Sequence, residues 1–400
     1  MRIIHTSDWH LGQNFYTKSR ASEHQAFLHW LLAQVEQYEV DAIIVAGDIF
    51  DTGSPPSYAR ELYNRFIVQL RNSGCALYLL AGNHDSVATL NESRELLACL
   101  NARVITGPDD DPFIIPRRDG APGAILCPIP FLRARDMLQS KAGQSGAEKQ
   151  RSLQDAIANQ YQQSYARAQA LRQEKPLPIV ATGHLTTVGA SASEAVRDIY
   201  IGTLDAFPAH AFPPADYIAL GHIHRPQRVG GTEHIRYCGS PIALSFDETG
   251  TAKSVNLVEF RDGAFAGVTP LTVPTTQAMA VLKGTQEEIE RQLDAWRGAP
   301  ESPVTWLDIE IASDDWLHDT QRHIQRLTDS LPVEVLLIRR SRERRQRIIE
   351  RQHQETLSEL TPGKVFERRL AQETLDEEQK SGLRRLFQQT LDDVTQEHDA

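Results

Sequence analysis

Short apolar runs recur along residues 1–221, each four to seven residues long and each giving way at once to polar side chains. RIIHT, AIIVAG, ALYLLAG, LPIVATG and DYIALG are apolar at successive positions rather than alternate ones, the pattern of strands buried on both faces of an α/β domain. Between the first two lies SEHQAFLHWLLAQVEQ. There Phe27, Leu28, Leu31, Leu32 and Val35 share one helical face, and Ser22 and Gln25 have capping-box spacing, which predicts a helix opened by that box. From about Val273 the rhythm changes. TQEEIERQLDAW reads as a helix, VTWLDIEI as a half-buried strand of period two, and VEVLLIRR as another. Two helical segments follow, 341–360 and 362–395, broken at Thr361-Pro362-Gly363. Leu357, Leu360, Val365, Phe366, Leu370, Leu383, Leu386, Phe387 and Leu391 give them apolar stripes.

Composition narrows the class. A chain of 400 residues, 40% hydrophobic and 24% charged, is large enough for a sizeable core and more than one domain. No basic, apolar, small-residue leader precedes the first strand, and runs such as AIIVAG and CALYLLAG are far too short to cross a bilayer, so a soluble, cytoplasmic protein with no membrane contact is expected. Cys75, Cys99, Cys127 and Cys238 are scattered without a C-x-x-C pair, which reads as reduced, mostly buried thiols. The 42 basic and 53 acidic residues leave a net charge of −11, an argument against generalised nucleic-acid binding unless a local patch or bound cations intervene. No G-x-x-x-x-G-K-[ST] occurs, so any ATP must be handled by another subunit.

The fourteen histidines change the picture, because several fall where the apolar runs end. The five runs are followed in turn by Asp8 and His10, by Asp48, by Asn83, His84 and Asp85, by His184, and by His222 and His224. Ligands of α/β sheets bind beyond the carboxyl ends of the strands, so these ends are expected to converge on one site. Imidazole and carboxylate donors without cysteine suit manganese, iron or zinc outside a closed structural site. Seven candidate ligands exceed the needs of one ion. Two ions roughly 3.5–4 Å apart require a bridging carboxylate and can clamp the attacking and departing oxygens of a displacement at phosphorus. Asp48, central in GDIFD, is the natural bridge.

The motifs SDWH, GDIFD, GNHD, GH and GHIH resemble those of the calcineurin-like metallophosphoesterase superfamily over residues 1–270. Within it, GDIFDTGSPPSYA, AGNHDS, PIPFLR and YCGSPIALSF resemble the nuclease subunits of bacterial ATPase–nuclease complexes, and the likeness runs the length of the chain. The resemblance implies a four-layer α/β/β/α phosphoesterase domain over 1–272, a small α+β capping domain over 273–340 and a partner-binding helical pair over 341–400. It implies one metal on Asp8, His10, Asp48 and His224 and a second on Asp48, Asn83, His184 and His222, with manganese preferred and magnesium or other divalent ions usable. His84 is then a catalytic contact to the phosphate and the leaving oxygen. Asp85 either accepts the other N–H of His84 and so orients it, or caps a turn. Asp51 stands where relatives often carry a histidine, and its role stays open.

The same resemblance implies 3′-to-5′ exonuclease action on duplex ends and endonuclease opening of hairpins and single strands, in DNA repair, recombination and replication. It implies an ATPase partner docked on the C-terminal helices and a homodimer within a heterotetramer, with SPPSYARELYNRFIVQL and TLNESRELLACL in the dimer region. Intramolecular packing explains those dimer-region helices equally well in sequence, whereas for the tail stripes docking on a partner helix is the better reading than packing against the chain's own capping domain. The run from Arg339 to Arg347 fits either a solvated helix face or a phosphate contact. Two other functions share the motifs: a metallophosphatase on a smaller ester, for which the C-terminal third is superfluous, and a non-catalytic DNA-end scaffold, for which a complete ligand set is superfluous.

Overall fold

The protein is described here by a computed structural model that covers residues 1–137, 146–193, 196, 206–297, 303–312, 317–340, 366, 370 and 380–387. All five apolar runs form strands, but in two sheets. The chain lays down β1 (Arg2–Thr6), α1 (Ala21–Gln37), β2 (Ala42–Ala46), α2 (Ser57–Arg71), β3 (Ala76–Leu80) and β4 (Ala102–Ile105). It continues with β5 (Phe113–Pro116), β6 (Pro122–Cys127), α3 (Gly146–Arg172), β7 (Ile179–His184), β8 (Tyr217–Gly221), β9 (Gln227–Arg228) and β10 (Ile235–Tyr237), and returns with β11 (Ser254–Arg261) and β12 (Ala264–Thr272). One sheet has the order β12-β11-β1-β2-β3-β4 and the other β9-β10-β8-β7-β6-β5. β1 pairs in parallel with β2, β2 with β3, and β7 with β8.

Successive strand residues point to opposite faces, so neighbours in sequence enter different cores. Ile3 joins Ile44, Leu80, Leu126, Val180 and Ala219 in an apolar layer drawn from both sheets. Ile4 joins Phe27, Leu31, Val35, Phe66 and Leu79 beneath α1 and α2. On the second sheet Ile179 and Ile218 pack with Leu153, Ile157 and Tyr161 of α3. Burial on both faces is what the unbroken apolar runs encode. The helix after β1 is capped two residues before the expected Ser22: Arg20 is its N-cap, without a side-chain cap bond. Arg20 instead forms an ion pair with Glu23, and its Nη1 donates to the Ala243 carbonyl at 2.8 Å, so a buried guanidinium fixes the helix start in place of Ser22.

Beyond β12 a small parallel sheet forms from β13 (Met279–Gly284), β14 (Thr305–Ile311) and β15 (Val333–Arg340), with helices α4 (Gln286–Leu293) and α5 (Leu317–Thr328). α4 starts at a capping box between Thr285 and Glu288. β14 is not half-buried: all seven positions are buried, because it is the central strand and both faces are covered. Leu307, Ile309 and Ile311 pack with Ile289, Leu293 and Ile324. On the other face Trp306 stacks on Phe15, ring centroids 5.8 Å apart, and joins Phe246 of the 3-10 turn Phe246–Glu248. Buried Asp308 takes Arg339 at 2.7 Å, so the first arginine of the basic run is committed to an ion pair.

Arg340 ends β15 and is exposed, and the run from 341 on lies outside the described residues, as do Leu357, Leu360, Val365 and Leu391. Residues 380–387 are helical, Leu370 is buried, and Phe366 stacks on Phe387 with centroids 4.0 Å apart. Cys75, Cys127 and Cys238 are buried, whereas Cys99 is exposed. Among the described residues no helix is long and apolar enough to cross a membrane.

Candidate metal centre

The loops that leave β1, β2, β3, β7 and β8 meet at one place, and backbone bonds fasten them. Asp8 N donates to Gly47 O at 3.0 Å, His10 N to Asp48 O at 3.0 Å and Leu11 N to Ile49 O at 2.9 Å, which zips the SDWH and GDIFD loops together. In SDWH the middle residue faces away from the site. Trp9 is fully buried, with its edge against Phe27 and Phe66 and its indole N–H on Thr6 Oγ1 at 2.9 Å. Asp8 and His10 are thereby turned to the opposite side. Asp8, His10, Asp48 and His222 all have positive φ, at 53°, 45°, 50° and 93°. Such backbone costs roughly 1–3 kcal/mol per residue and persists where the surroundings enforce it for function. Close approach also demands glycine. A Cβ on Gly221 would lie 1.9 Å from Ala46 O, and one on Gly82 would lie 2.2 Å from Asp48 N.

The side chains converge on Asp48. Its Oδ2 lies 3.3 Å from His184 Nε2 and 3.6 Å from His10 Nε2, while its Oδ1 accepts from His84 N at 2.9 Å. Asn83 Oδ1 sits 2.8 Å from His184 Nε2 and 3.2 Å from His222 Nδ1. Asp8 accepts from His222 N at 2.9 Å and from Ser7 Oγ at 2.5 Å. Donor atoms of Asp8, His10 and His224 lie within 4.8 Å of one another, and so do those of Asp48, His184 and His222. A third such group, His10, Asp48 and His84, brings His84 within reach of the same donors. All seven proposed ligands and His84 therefore share one pocket of side chains.

Its electrostatics suit cations. His10 Nε2 and His222 Nε2 are buried without a hydrogen-bond partner, an expensive arrangement for polar nitrogens that a coordinated ion relieves. Burial raises the cost of a charge at Asp48, yet the histidines around it, His184 first, hold its carboxyl well below the usual range. Burial disfavours a charged His184, and the adjacent Asp48 carboxylate overcomes that and raises it to about 9. His222 is pushed down, by burial and then by His184. Oxygen and imidazole donors of this mix, without thiolate, fit hard or borderline divalent metal ions.

Other groups set the rings. The Ala46 carbonyl accepts from His184 Nδ1 at 2.9 Å, and the Asp51 carboxylate lies 3.1 Å from His10 Nδ1, so each ring offers its Nε2 to the centre. His84 is half-buried, and its Nδ1 donates to the Asp51 carbonyl at 2.8 Å. Asp51 thus serves two histidines, one through its side chain and one through its backbone. Asp85 does not orient His84. Its two oxygens accept from Ile49 N at 3.1 Å, Phe50 N at 2.9 Å and Gly82 N at 2.8 Å, which ties the GDIFD loop to the GNHD turn. The turn-capping alternative describes it. Burial and the Asp48 charge push its carboxyl up to about 6. Two residues passed over in the sequence border the site. Arg133, at the end of PIPFLR, donates to the Asp85 carbonyl at 3.2 Å, and Glu248 meets His224 Nδ1 at 3.2 Å. The signal for the second was YCGSPIALSF, which leads directly into it.

Residues 1–226 match the family described as calcineurin-like phosphoesterase, and residues 275–374 the family described as type 5 capsule protein repressor C-terminal domain. The chain is 64% identical over 400 residues, 100% of both sequences, to the SbcD subunit of the nuclease SbcCD from Escherichia coli (strain K12). It is 34% identical over 356 residues to the SbcD subunit from Rhodobacter capsulatus, covering 84% of this chain and 86% of the relative. To the SbcD subunit from Bacillus subtilis (strain 168) it is 30% identical over 330 residues, covering 81% and 82%.

Proposed function

The chain belongs to the calcineurin-like phosphoesterase family, and from that premise we propose that it is the nuclease subunit of an SbcCD-type complex, a two-metal hydrolase of DNA phosphodiester bonds. The observation that carries the reading is Asp48, whose Oδ2 faces His10 Nε2 at 3.6 Å and His184 Nε2 at 3.3 Å, so that one carboxylate serves two sets of ligands. Asp8, His10, Asp48 and His224 hold one ion, and Asp48, Asn83, His184 and His222 the other, with Mn2+ the preferred metal. Bound there, the cations supply Lewis acidity and an activated water for in-line displacement at phosphorus.

The chain's own groups do the rest. The Asp51 carbonyl accepts from His84 Nδ1 and directs Nε2 to the phosphate and the departing oxygen. With a second proton on Nε2 the ring is an imidazolium, which gives that proton to the departing oxygen and is left as the neutral Nδ1–H tautomer. Asp85 locks the two loops that carry Asp48 and Asn83. The substrates are DNA ends and hairpins, cut as a 3′-to-5′ double-strand exonuclease and as a hairpin and single-strand endonuclease in repair, recombination and replication. Residues 1–272 form the nuclease domain, 273–340 the capping domain and 341–400 the segment that docks an SbcC-like ATPase, the only route by which ATP enters the reaction. The working assembly is a homodimer of this chain within a cytoplasmic heterotetramer.

The test uses the full chain, with and without its ATPase partner, on labelled hairpin and blunt-ended duplex DNA with Mn2+. Manganese-dependent cleavage is expected, and His84→Gln should retain two ions and DNA affinity while losing roughly 10²- to 10⁴-fold in rate. Hydrolysis confined to small phosphate esters would replace the nuclease with a phosphatase. DNA binding with no cleavage at all would make the chain a scaffold.

A further inference from the structure

Glu248 lies outside both ligand sets, yet it is 1% exposed and six polar groups surround its two oxygens. Ser193 Oγ donates to Oε1 at 2.7 Å, and His224 Nδ1 and Ser245 Oγ approach the same oxygen at 3.2 Å. Lys253 Nζ lies 2.5 Å from Oε2, the Leu244 amide 3.0 Å and Ser240 Oγ 3.3 Å. Lys253 is itself buried, and its Nζ also donates to the His224 carbonyl at 3.0 Å and to Ser240 Oγ at 2.8 Å. A buried ion pair of this kind is a poor source of stability, because desolvating both charges consumes most of their attraction. What it secures is position.

The turn that carries Glu248 is held from both ends. Phe246 packs on Phe15, ring centroids 5.0 Å apart, in the cluster that includes Trp306 of the capping sheet. Asp247 pairs with Arg225 at 3.0 Å, so two successive residues of the turn grip His224 and Arg225, two successive residues of the loop after β8. A carboxylate oxygen only accepts, so it keeps a proton on Nδ1 of His224 and leaves the lone pair of Nε2 for the centre. Asp51 and the Ala46 carbonyl stand in the same relation to His10 and His184.

We propose that Glu248, clamped by Lys253, is a positioning residue that fixes the tautomer and ring orientation of His224 for one of the two ions. The inference rests on the reading of His224 as a metal ligand and adds the device that makes it one. The experiment measures Mn2+ binding to the full chain by calorimetry, with the melting temperature of the EDTA-treated protein as a separate readout. Glu248→Leu with Lys253→Met removes the charge pair and the acceptor together. It should stay folded while one of two sites weakens about 10- to 100-fold and the other is unchanged. Glu248→Gln with Lys253→Met keeps an oxygen opposite Nδ1 and should restore most of that affinity.

On a His224→Ala background the leucine pair should cost nothing further, the signature of a residue that acts through His224. If the leucine pair does not fold, Glu248→Met with Lys253→Met makes the same comparison with unbranched side chains. Wild-type affinity at both sites in the apolar pair, equal loss in the glutamine pair, or additive loss on the His224→Ala background would each overturn the proposal. A wild-type chain that binds two ions while His224→Ala weakens neither removes the ligand reading beneath it, and the proposal with it.

Discussion

Asp85→Ala removes an acceptor shared by three buried backbone amides, those of Ile49, Phe50 and Gly82 at 3.1, 2.9 and 2.8 Å. A buried donor left unpaired costs about 1–3 kcal/mol, so three set a ceiling of roughly 9 kcal/mol, and relaxation with entry of water brings the expected loss to about 3–5 kcal/mol. For a domain of this size each kcal/mol lowers the melting temperature by about 2–4 °C, which gives a fall on the order of 10 °C. The damage reaches the metals, because Ile49 and Phe50 follow Asp48 and Gly82 precedes Asn83. Loosening both loops should lower Mn2+ occupancy at the Asn83 site first. Asp85→Asn retains one accepting oxygen and should fall between the two. Thermal melts with EDTA and with Mn2+, metal analysis of the purified variants and hairpin turnover together decide the matter. If Asp85→Ala melts within about 2 °C of the wild type, keeps both ions and loses only turnover, then Asp85 acts on His84 and the loop-locking argument fails.

Because Asp48 faces both histidine sets, Asp48→Ala should lose both ions whereas His10→Ala weakens chiefly one, and metal analysis showing two ions in Asp48→Ala would refute the bridge. Burial drives His5 and His24 down to about 3. Their folded values lie below the unfolded value near 6.5, so the stability they protect is complete above that pH and is lost as pH falls from 6.5 toward 3. Between pH 7 and pH 5 each should remove about 2 kcal/mol, and His24→Leu should flatten the measured slope by one such share; an unchanged slope counts against it. Residues 1–340 alone should fold and cleave with Mn2+ but fail to co-purify with the ATPase subunit. Leu383→Asp with Leu386→Asp, at positions 40% and 61% exposed, should reproduce that loss without lowering the melting temperature. Phe366→Asp with Phe387→Asp should also undo the stacked pair that joins the two tail segments. A truncated chain that still binds the ATPase fully would end the docking reading.

Much of the fold was legible because its signals are local. Five apolar runs became five strands, since burial on both faces demands apolar residues at successive positions within one short window. The helix face of Phe27, Leu28, Leu31 and Val35 was legible for the same reason, as a period of 3.6 residues. So was the convergence of Asp8, His10, Asp48, Asn83, His184, His222 and His224, because each lies at the carboxyl end of a strand or in the loop just beyond it. Their chemistry and order needed no knowledge of what lies opposite.

Only the tertiary structure decided how these pieces share work, because the deciding contacts join residues far apart in the chain and leave no local trace. Asp8 accepts from the amide of His222, 214 residues away, and His184 is oriented by Ala46, 138 residues away. Asp85 spends its oxygens on amides 35 and 36 residues upstream, and no spacing rule distinguishes that from a bond to the neighbouring His84. β14 alternates polar and apolar residues as a half-buried strand does. It is buried throughout because helices cover one face while Phe15 and Phe246 meet Trp306 on the other. Arg20 becomes the N-cap of α1 because its buried guanidinium is held by the distant Ala243 carbonyl. Periodicity records which faces are apolar, whereas the identity of the group that meets each face is fixed only when the two large sheets and the small three-stranded sheet close on one another.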